Sequence, residues 1–591
     1  MTGQVFETDV LVIGGGGAGF RAAIGAREKG VRVALVSKGP LARCGATPMA
    51  GADFTLDGHN LKQLGHNGDP NDSYEKVFND IVTQGFYLNN QKLVDQYIRT
   101  APQCLQELMD WGINIRLSEE RAIFTTGIGI MDALLKQARS VDIELLEDTM
   151  IIDLVTKDGK VTGALCLDIK TGDFIRFKAK SVVMATGGWH KAFWPNTGMR
   201  DLSGEGIAMA HRAGADIGNM EFITFCCNVF YDPPMWRGSI APYILGLMAG
   251  HRLTNNRGES FLDAYDPYVV DVGSRMEWNK SFISLASMRE VREGKGGPNG
   301  GIYFSRGDIP WEDMKFYGEL MFPRWRYKAI DLSDWGKKLE ANEPVEVGPA
   351  VEYFDGGIVV NERFETSVEG LFAAGECTLG VFGSNRVFSA ITEMLVQGVD
   401  AGRNAGEYAR NIPVPEPTKQ AFEFVEEKAT TPLSRKEGLG PAQVRRRVQE
   451  MAHKNLGPIR NQDELNSFIN FLGEVRNQEL PNLTVTSKSR VYNKEWIDAL
   501  ELGNIVHLLE AAARSALFRT ESRGVHYRED YAQTDNDQWL EESIVKMVKG
   551  NLEVVKRPAT IAGLTPPRGV WPYLEMLKMM MEAHSDVGGH H

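Results

Sequence analysis

The sequence predicts an α/β fold. A Rossmann-like nucleotide-binding domain is split by an inserted α+β capping domain and followed by a C-terminal helical domain. Three observations predict it. Near the N-terminus, Asp9-Val10-Leu11-Val12-Ile13-Gly14-Gly15-Gly16-Gly17-Ala18-Gly19 is an apolar strand running into a G-x-G-x-x-G turn, the arrangement that seats a pyrophosphate at a helix start. Strand character returns late, at Gly370-Leu371-Phe372-Ala373-Ala374-Gly375-Glu376, after a long irregular stretch rich in Gly, Pro and Trp between about 228 and 345. Beyond about residue 410 the apolar spacing becomes helical: Leu465, Phe468, Ile469, Leu472 and Val475 share one helix face. The expected division is 1–227 and 346–410 for the nucleotide domain, 228–345 for the cap, 411–545 for the helical domain and 546–591 for a C-terminal extension.

Taken in order, residues 10–13, 20–29 and 31–36 read as strand, helix and strand. Residues from 70 to about 112 read as helical, with Val77, Ile81 and Leu93 apolar. Residues 143–179 read as β-hairpins, with Lys157-Asp158-Gly159-Lys160 and Lys170-Thr171-Gly172-Asp173 as turns. Ser181 to Gly188 is a buried strand ending in a glycine turn. Residues 496–518 form a long helix, and Pro572 opens a short Met-rich one.

The chain has 591 residues, long enough for several cores. Its net charge of −13 argues against a nucleic-acid partner. No apolar run approaches the ~18–20 residues that span a bilayer. The first strand begins too early to leave room for a signal peptide, so a cytoplasmic location is expected. The six cysteines include no C-x-x-C pair, so neither an iron–sulfur cluster nor a structural zinc is expected within the chain.

Within the turn, Gly14 permits the tight bend, Gly16 lets the backbone approach a pyrophosphate, and Gly19 allows close helix–strand packing. An acidic residue that would hold a ribose is missing after the second strand, where Ser37-Lys38 stands. That pair, together with Ala185-Thr186-Gly187-Gly188, Ser203-Gly204-Glu205-Gly206, Gly370 to Glu376 and the C-terminal run Arg519-Thr520-Glu521-Ser522-Arg523-Gly524-Val525-His526-Tyr527-Arg528-Glu529-Asp530-Tyr531, resembles the succinate dehydrogenase/fumarate reductase flavoprotein family. The resemblance runs from about residue 8 to 531. It includes the return from cap to nucleotide domain at Pro349 to Ile358 and the start of the helical domain at Asn493 to Asn504. It implies FAD as the cofactor, with contacts from Gly14, Gly16, Gly17, Ala18, Gly19, Ser37, Lys38, Gly45, Ala46, Thr186, Gly187, Glu205, Glu376 and Arg386. Glu376 would hold the ribityl chain and Glu205 a region near the ribose.

The chain departs from this family at two places. Members usually tie FAD covalently to a histidine in an Arg-Ser-His-Thr segment. The matching segment here is Arg43-Cys44-Gly45-Ala46, so FAD is expected to be non-covalent, as in L-aspartate oxidases or adenylylsulfate reductases. The family's dicarboxylate site is also rebuilt. Phe225-Cys226-Cys227-Asn228 stands in place of a Phe-His-Pro-Thr-Gly segment, Tyr243-Ile244 in place of a Thr-Glu pair, Glu352 in place of a histidine, and Lys280 in place of the proton-shuttling arginine. Only the arginine of the Ala-Asn-Arg segment remains, as Arg386.

A dry pocket must pair both charges of a dicarboxylate. An ionised Glu352 would repel a second carboxylate by on the order of several kcal/mol. Succinate and fumarate are therefore expected to be poor substrates. A ligand with one carboxylate on Arg386, or with a hydroxyl or cationic group facing Glu352, fits better. Should a dicarboxylate fit after all, Arg237, His251 or Arg252 would have to supply the missing charge.

Arg386, Lys280, Glu352 and Cys226 are the candidate catalytic residues, with Lys280 as proton donor, its pKa depressed by burial beside Arg386. Adjacent cysteines in an apolar run such as Phe225 to Val229 are more often core, His526 reads as a packing residue, and Met576 to Met581 as core. The resemblance implies hydride transfer between flavin and a small carboxylate-bearing substrate, electron exchange with an iron–sulfur partner subunit, and membrane contact only through partners. A stand-alone enzyme resembling L-aspartate oxidase, or a relay subunit with a decayed site, are the alternatives.

Overall fold

The computed structural model describes residues 4–50, 53–249, 252–275, 278–321, 334–386, 389–417 and 419–584. His251 lies outside them.

The central sheet has seven strands. Six run in the order Glu144–Leu146, Val33–Val36, Gln4–Ile13, Phe174–Met184, Lys160–Asp168 and Thr149–Lys157, and Leu371–Ala373 also pairs with Phe174–Met184. The pairs around Gln4–Ile13 are parallel and register Ile13 opposite both Val36 and Met184, while Met184 also faces Ala373. Four strands thus end level. The loops that follow them, at Gly14, Ser37, Ala185 and Ala374, open at one carboxyl edge, where α/β sheets bind ligands. Val10, Leu11 and Val12 are fully buried, as expected for strands covered on both faces. The helices Gly17–Arg27 and Ala390–Arg410 pack together against this sheet. The hairpins form at the expected turns, joining Thr149–Lys157 to Lys160–Asp168 and that strand to Phe174–Met184.

The cap is more regular than its composition suggests, and its expected bounds are corrected: the one at 227/228 cuts the strand Ile223–Phe230, and Val345–Phe354, placed almost wholly beyond the other bound, belongs to the cap's own sheet. A four-stranded sheet runs in the order Ile223–Phe230, Val345–Phe354, Ile302–Phe304 and Leu253–Thr254. The helices Ala241–Ala249 and Trp278–Glu290 both pack on Ile223–Phe230. Every residue from Trp278 to Ser287 is buried, so this helix shows no polar stripe by which its sequence would announce it.

The helical domain contains Lys419–Ser434, Pro441–Asn455, Gln462–Glu474 and Lys494–Phe518. Its expected end at 545 falls inside a strand. Glu541–Val548 pairs with Asn551–Pro558 on one side and with Ile217–Gly218 on the other, and Gly357–Ile358 completes that sheet. The chain therefore returns to the nucleotide domain before its last helix, Tyr573–Ala583, packs on Pro267–Gly273 and Tyr74–Gln84. Met576, Met580 and Met581 are buried there.

The arginines of the C-terminal signature are buried and paired. Arg519 contacts Glu221 at 2.6 Å and Glu521 at 3.0 Å, and Arg523 contacts Glu521 at 2.8 Å. His526 Nδ1 accepts from Arg460 at 2.8 Å. Burial, then Arg460, holds its pKa well below the ordinary value, so His526 is a neutral packing group. Among the described residues no helix is long and apolar enough to cross a membrane.

Candidate functional site

A cavity of about 1480 Å³ runs from the glycine turn to the cap. Gly14 has φ +125°, and a Cβ there would lie 2.1 Å from the Ala185 carbonyl oxygen. One at Gly19 would lie 1.7 Å from the Gly14 carbonyl oxygen. These two glycines are fixed by backbone packing. Gly16 differs, because its Cβ would meet only Thr47 Oγ1, at 3.9 Å. It opens onto the cavity at the start of Gly17–Arg27, where Gly16 itself gives no side-chain cap and the Gly17 N–H donates to Thr47 Oγ1 at 3.2 Å, so a phosphate would sit against the helix start beside Thr47. Gly17 packs beneath Met394 and Ala18 beneath Gly375. Gly45, with φ +77°, and Ala46 line the same space, and nothing lies within 4 Å of a Cβ built on Gly45.

Further along, Thr186, Gly187 and Glu376 form the wall. Glu376 Oε2 accepts from Gly188 N at 3.2 Å, while its Oε1 and Thr186 Oγ1 are buried without a hydrogen-bond partner. Burial raises the Glu376 pKa. Two orphaned polar atoms on one wall call for a hydroxyl-rich ligand to satisfy them.

At the far end, Ser37 is fully buried, its hydroxyl donating to Gly39 O at 2.9 Å. Lys38 lies between two carboxylates, Glu205 and Glu501, with Glu501 at 2.5 Å, and donates to Ser203 Oγ at 2.8 Å. Burial works against its charge, but Glu205 and Glu501 outweigh that and hold its pKa above the ordinary value. The alternation continues through Lys191, which bridges Glu501 and Asp498, and Arg445, 2.7 Å from Asp498. Glu501 and Asp498 sit on Lys494–Phe518, so this chain of charges ties the helical domain to the nucleotide site. The sequence reading missed Glu501 and Lys191, which meet Lys38 only through the tertiary fold.

At the cap end, Lys280 Nζ is 2.7 Å from Glu352 Oε2, and Arg386 Nη2 is 3.8 Å from the same oxygen. Lys280 comes from Trp278–Glu290 and Glu352 from Val345–Phe354. The Lys280 side chain is 1% exposed, while Glu352 keeps 19% exposed. Burial pushes the Glu352 carboxyl up, but Lys280 and then Arg386 outweigh it and hold its pKa below the usual range. Glu352 is therefore an anion set between two cations. Lys280 was expected beside Arg386; the structure sets the Glu352 carboxylate next to both, nearer to Lys280.

Arg386 also lies over the Tyr353 ring, 5.3 Å from its centroid. The Tyr353 hydroxyl donates to Glu393. Asp355 accepts from Thr224 Oγ1 at 2.8 Å. Burial pushes both Glu393 and Asp355 up to about 7. His190 Nε2 donates to the Glu352 carbonyl at 2.7 Å. None of Tyr353, Asp355, Glu393 and His190 was singled out from sequence, although Tyr353 follows Glu352 on its strand and Asp355 lies just past the strand's end.

Cys226 lies behind this cluster, near enough for Glu352 and Lys280 to act on its thiol, but not on the cavity wall. It is fully buried on Ile223–Phe230, opposite Ala350, and does not line the cavity. Burial raises its thiol pKa well above the ordinary value, so it is an inert core thiol at neutral pH. Arg252 lines the cavity and is exposed, whereas Arg237 is off the wall, 5.0 Å over the Tyr231 ring.

Comparison with known proteins agrees with this geometry. Residues 9–390 match the FAD binding domain family, and residues 445–570 match the fumarate reductase flavoprotein C-terminal family. An uncharacterized FAD-dependent oxidoreductase of Methanocaldococcus jannaschii is 31% identical, over 91% of this chain and 96% of its own length. A fumarate reductase (CoM/CoB) subunit of Methanothermobacter marburgensis is 30% identical, over 90% and 96%. Among solved structures, Mycobacterium smegmatis Sdh1 in complex with UQ1 superposes with a TM-score of 0.83 at 29% identity, covering 100% of both chains.

FAD is the cofactor, and the open Gly16 at a helix start and the orphaned Glu376 and Thr186 oxygens fit its pyrophosphate and ribityl groups. The chain is an FAD-dependent oxidoreductase and belongs to the succinate dehydrogenase/fumarate reductase flavoprotein subunit family.

Proposed function

We propose that this chain is the catalytic flavoprotein subunit of an electron-transfer complex, acting on a substrate with a single carboxylate beside the reacting carbon–carbon bond. The observation that carries this reading is Glu352, held as an anion between Lys280 and Arg386. Two cations and one fixed anion leave the trio with one net positive charge, enough to neutralise one carboxylate.

Arg386 presents the planar fork that grips that carboxylate, and the Tyr353 ring beneath it fixes the guanidinium plane. Lys280 holds the transferable proton at Nζ, and Glu352 fixes the ammonium in place. Bound FAD supplies two-electron hydride chemistry. In the reducing direction Lys280 Nζ would deliver the proton that saturates one carbon of the double bond, and in oxidation it would take that proton back. The cap helices Ala241–Ala249 and Trp278–Glu290 contribute Tyr243, Ile244 and Lys280 to the wall of the site.

FAD is held without a covalent bond, since Gly45 offers no side-chain atom for attachment. Electrons are exchanged with an iron–sulfur partner subunit. Support for a partner comes from relatives named as subunits, among them the methanogen protein and the fumarate reductase flavoprotein subunit of Escherichia coli, and from the lack of any C-x-x-C pair in this chain. The subunit works in the cytoplasm and meets a membrane only through its partners.

The test is Arg386→Lys, assayed with an artificial electron acceptor and an α,β-unsaturated monocarboxylate. It keeps the charge but loses the fork, and kcat/KM is expected to fall at least roughly tenfold. Unchanged kinetics would place the carboxylate elsewhere.

A further inference from the structure

We infer that the cap side of the cavity is an apolar subsite for the hydrocarbon body of the substrate: the ligand is a monocarboxylate carrying a chain or ring of several carbons beyond the reacting bond. This rests on the reading of Arg386 as the carboxylate clamp. Ile240, Tyr243, Ile244, Leu262, Tyr265 and Val270 all line the cavity from the cap. Tyr243, Ile244 and Leu262 are 6–7% exposed, so their contact with solvent space is with the cavity wall and little else.

Tyr243 and Ile244 belong to Ala241–Ala249, which packs on the same strand, Ile223–Phe230, as the helix carrying Lys280. That strand is hydrogen-bonded to Val345–Phe354, which carries Glu352. The apolar wall and the charged trio are thus built on one small sheet.

The charged groups on the cap side sit at the rim. Arg116, Glu119, Arg252, Asp263 and Asp271 line the cavity but are exposed to solvent, and Arg275 is held by Asp271 at 2.9 Å. A second carboxylate pointing into the wall would lose its hydration against Ile and Leu side chains. A methylene chain or an aryl ring would be desolvated at a gain. The cavity also has the volume for a group of that size beside a dinucleotide.

The test uses the FAD-loaded protein and reads ligand binding as a flavin absorbance difference spectrum. The probes are crotonate, 2-hexenoate, cinnamate and fumarate. Affinity is expected to rise roughly fourfold for each methylene buried, so that 2-hexenoate and cinnamate each bind at least roughly tenfold more tightly than crotonate, and fumarate most weakly. Ile244→Asn is expected to flatten this gradient. Leu262→Asn, on a different element, is the second variant should the first fail to fold.

A wild-type gradient that is flat, or that favours fumarate, overturns the inference. If binding is flat with chain length yet still lost in Arg386→Lys, only the apolar subsite fails. If Arg386→Lys leaves every probe unaffected, the clamp itself is wrong.

Discussion

Glu352→Gln is the perturbation that most sharply separates charge from shape at this site. The substitution keeps the volume and one oxygen, and removes the anion that lies 2.7 Å from Lys280 and 3.8 Å from Arg386. A second carboxylate about 4 Å from Glu352 would be repelled by ~4 kcal/mol at an effective dielectric constant of 20. Because 19% of the Glu352 side chain is exposed, screening lowers this to about 2–3 kcal/mol. That corresponds to roughly 30- to 150-fold. Fumarate or malonate should therefore bind the variant that much more tightly, as followed by the flavin absorbance of the FAD-loaded protein. Crotonate, with one carboxylate on Arg386, should change far less. The same substitution leaves Lys280 buried without its anion, so the variant should be less stable by about 3 kcal/mol, the lower end for a broken buried pair. Dicarboxylate affinity that stays the same, while the protein folds and binds crotonate, would refute the argument that Glu352 sets the charge preference.

Two further outcomes are expected. Acid precipitation should release all of the flavin colour into the supernatant, since Gly45 has no side chain to hold it; colour retained in the pellet would show a covalent link. Asp355→Asn should change the pH dependence of stability. The wild-type carboxyl is raised by burial to about 7, so its contribution is fully present below pH ~4 and is lost as pH rises through about 7. An asparagine stays neutral throughout. Relative to wild type the variant should gain on the order of 2–4 kcal/mol between pH 5 and 8.5, read from urea midpoints at the two pH values; parallel profiles would contradict this.

What was legible in the sequence is what depends on local pattern. The glycine turn, the strand from Val10 to Ile13 and the two hairpin turns carry their own conformational signals, since Gly14, Gly159 and Gly172 all adopt positive φ. The Met-rich helix after Pro572 and the buried role of His526 were equally readable. What was not legible depends on pairing across the chain. Lys280 meets Glu352, and Lys38 meets Glu501, only once the fold brings distant segments together. The helix Trp278–Glu290 was hidden because burial on all sides erases its periodicity. The break expected at 545 cut one strand of a hairpin, Glu541–Val548 with Asn551–Pro558, whose Lys549-Gly550 turn was a local signal passed over, whereas its second partner, Ile217–Gly218, has none. Cys226 was assigned to the substrate site by its place in a motif, and its strand turns it into the core instead.

The central claim is that this pocket, built on the family's scaffold, has exchanged a dicarboxylate site for a monocarboxylate one. Steady-state turnover by the wild-type protein, loaded with FAD and supplied with a reduced dye, tests it most directly when fumarate is compared with cinnamate and 2-hexenoate. The account predicts little or no fumarate reduction and measurable reduction of at least one of the two monocarboxylates. Fumarate reduction faster than that of either monocarboxylate would contradict it.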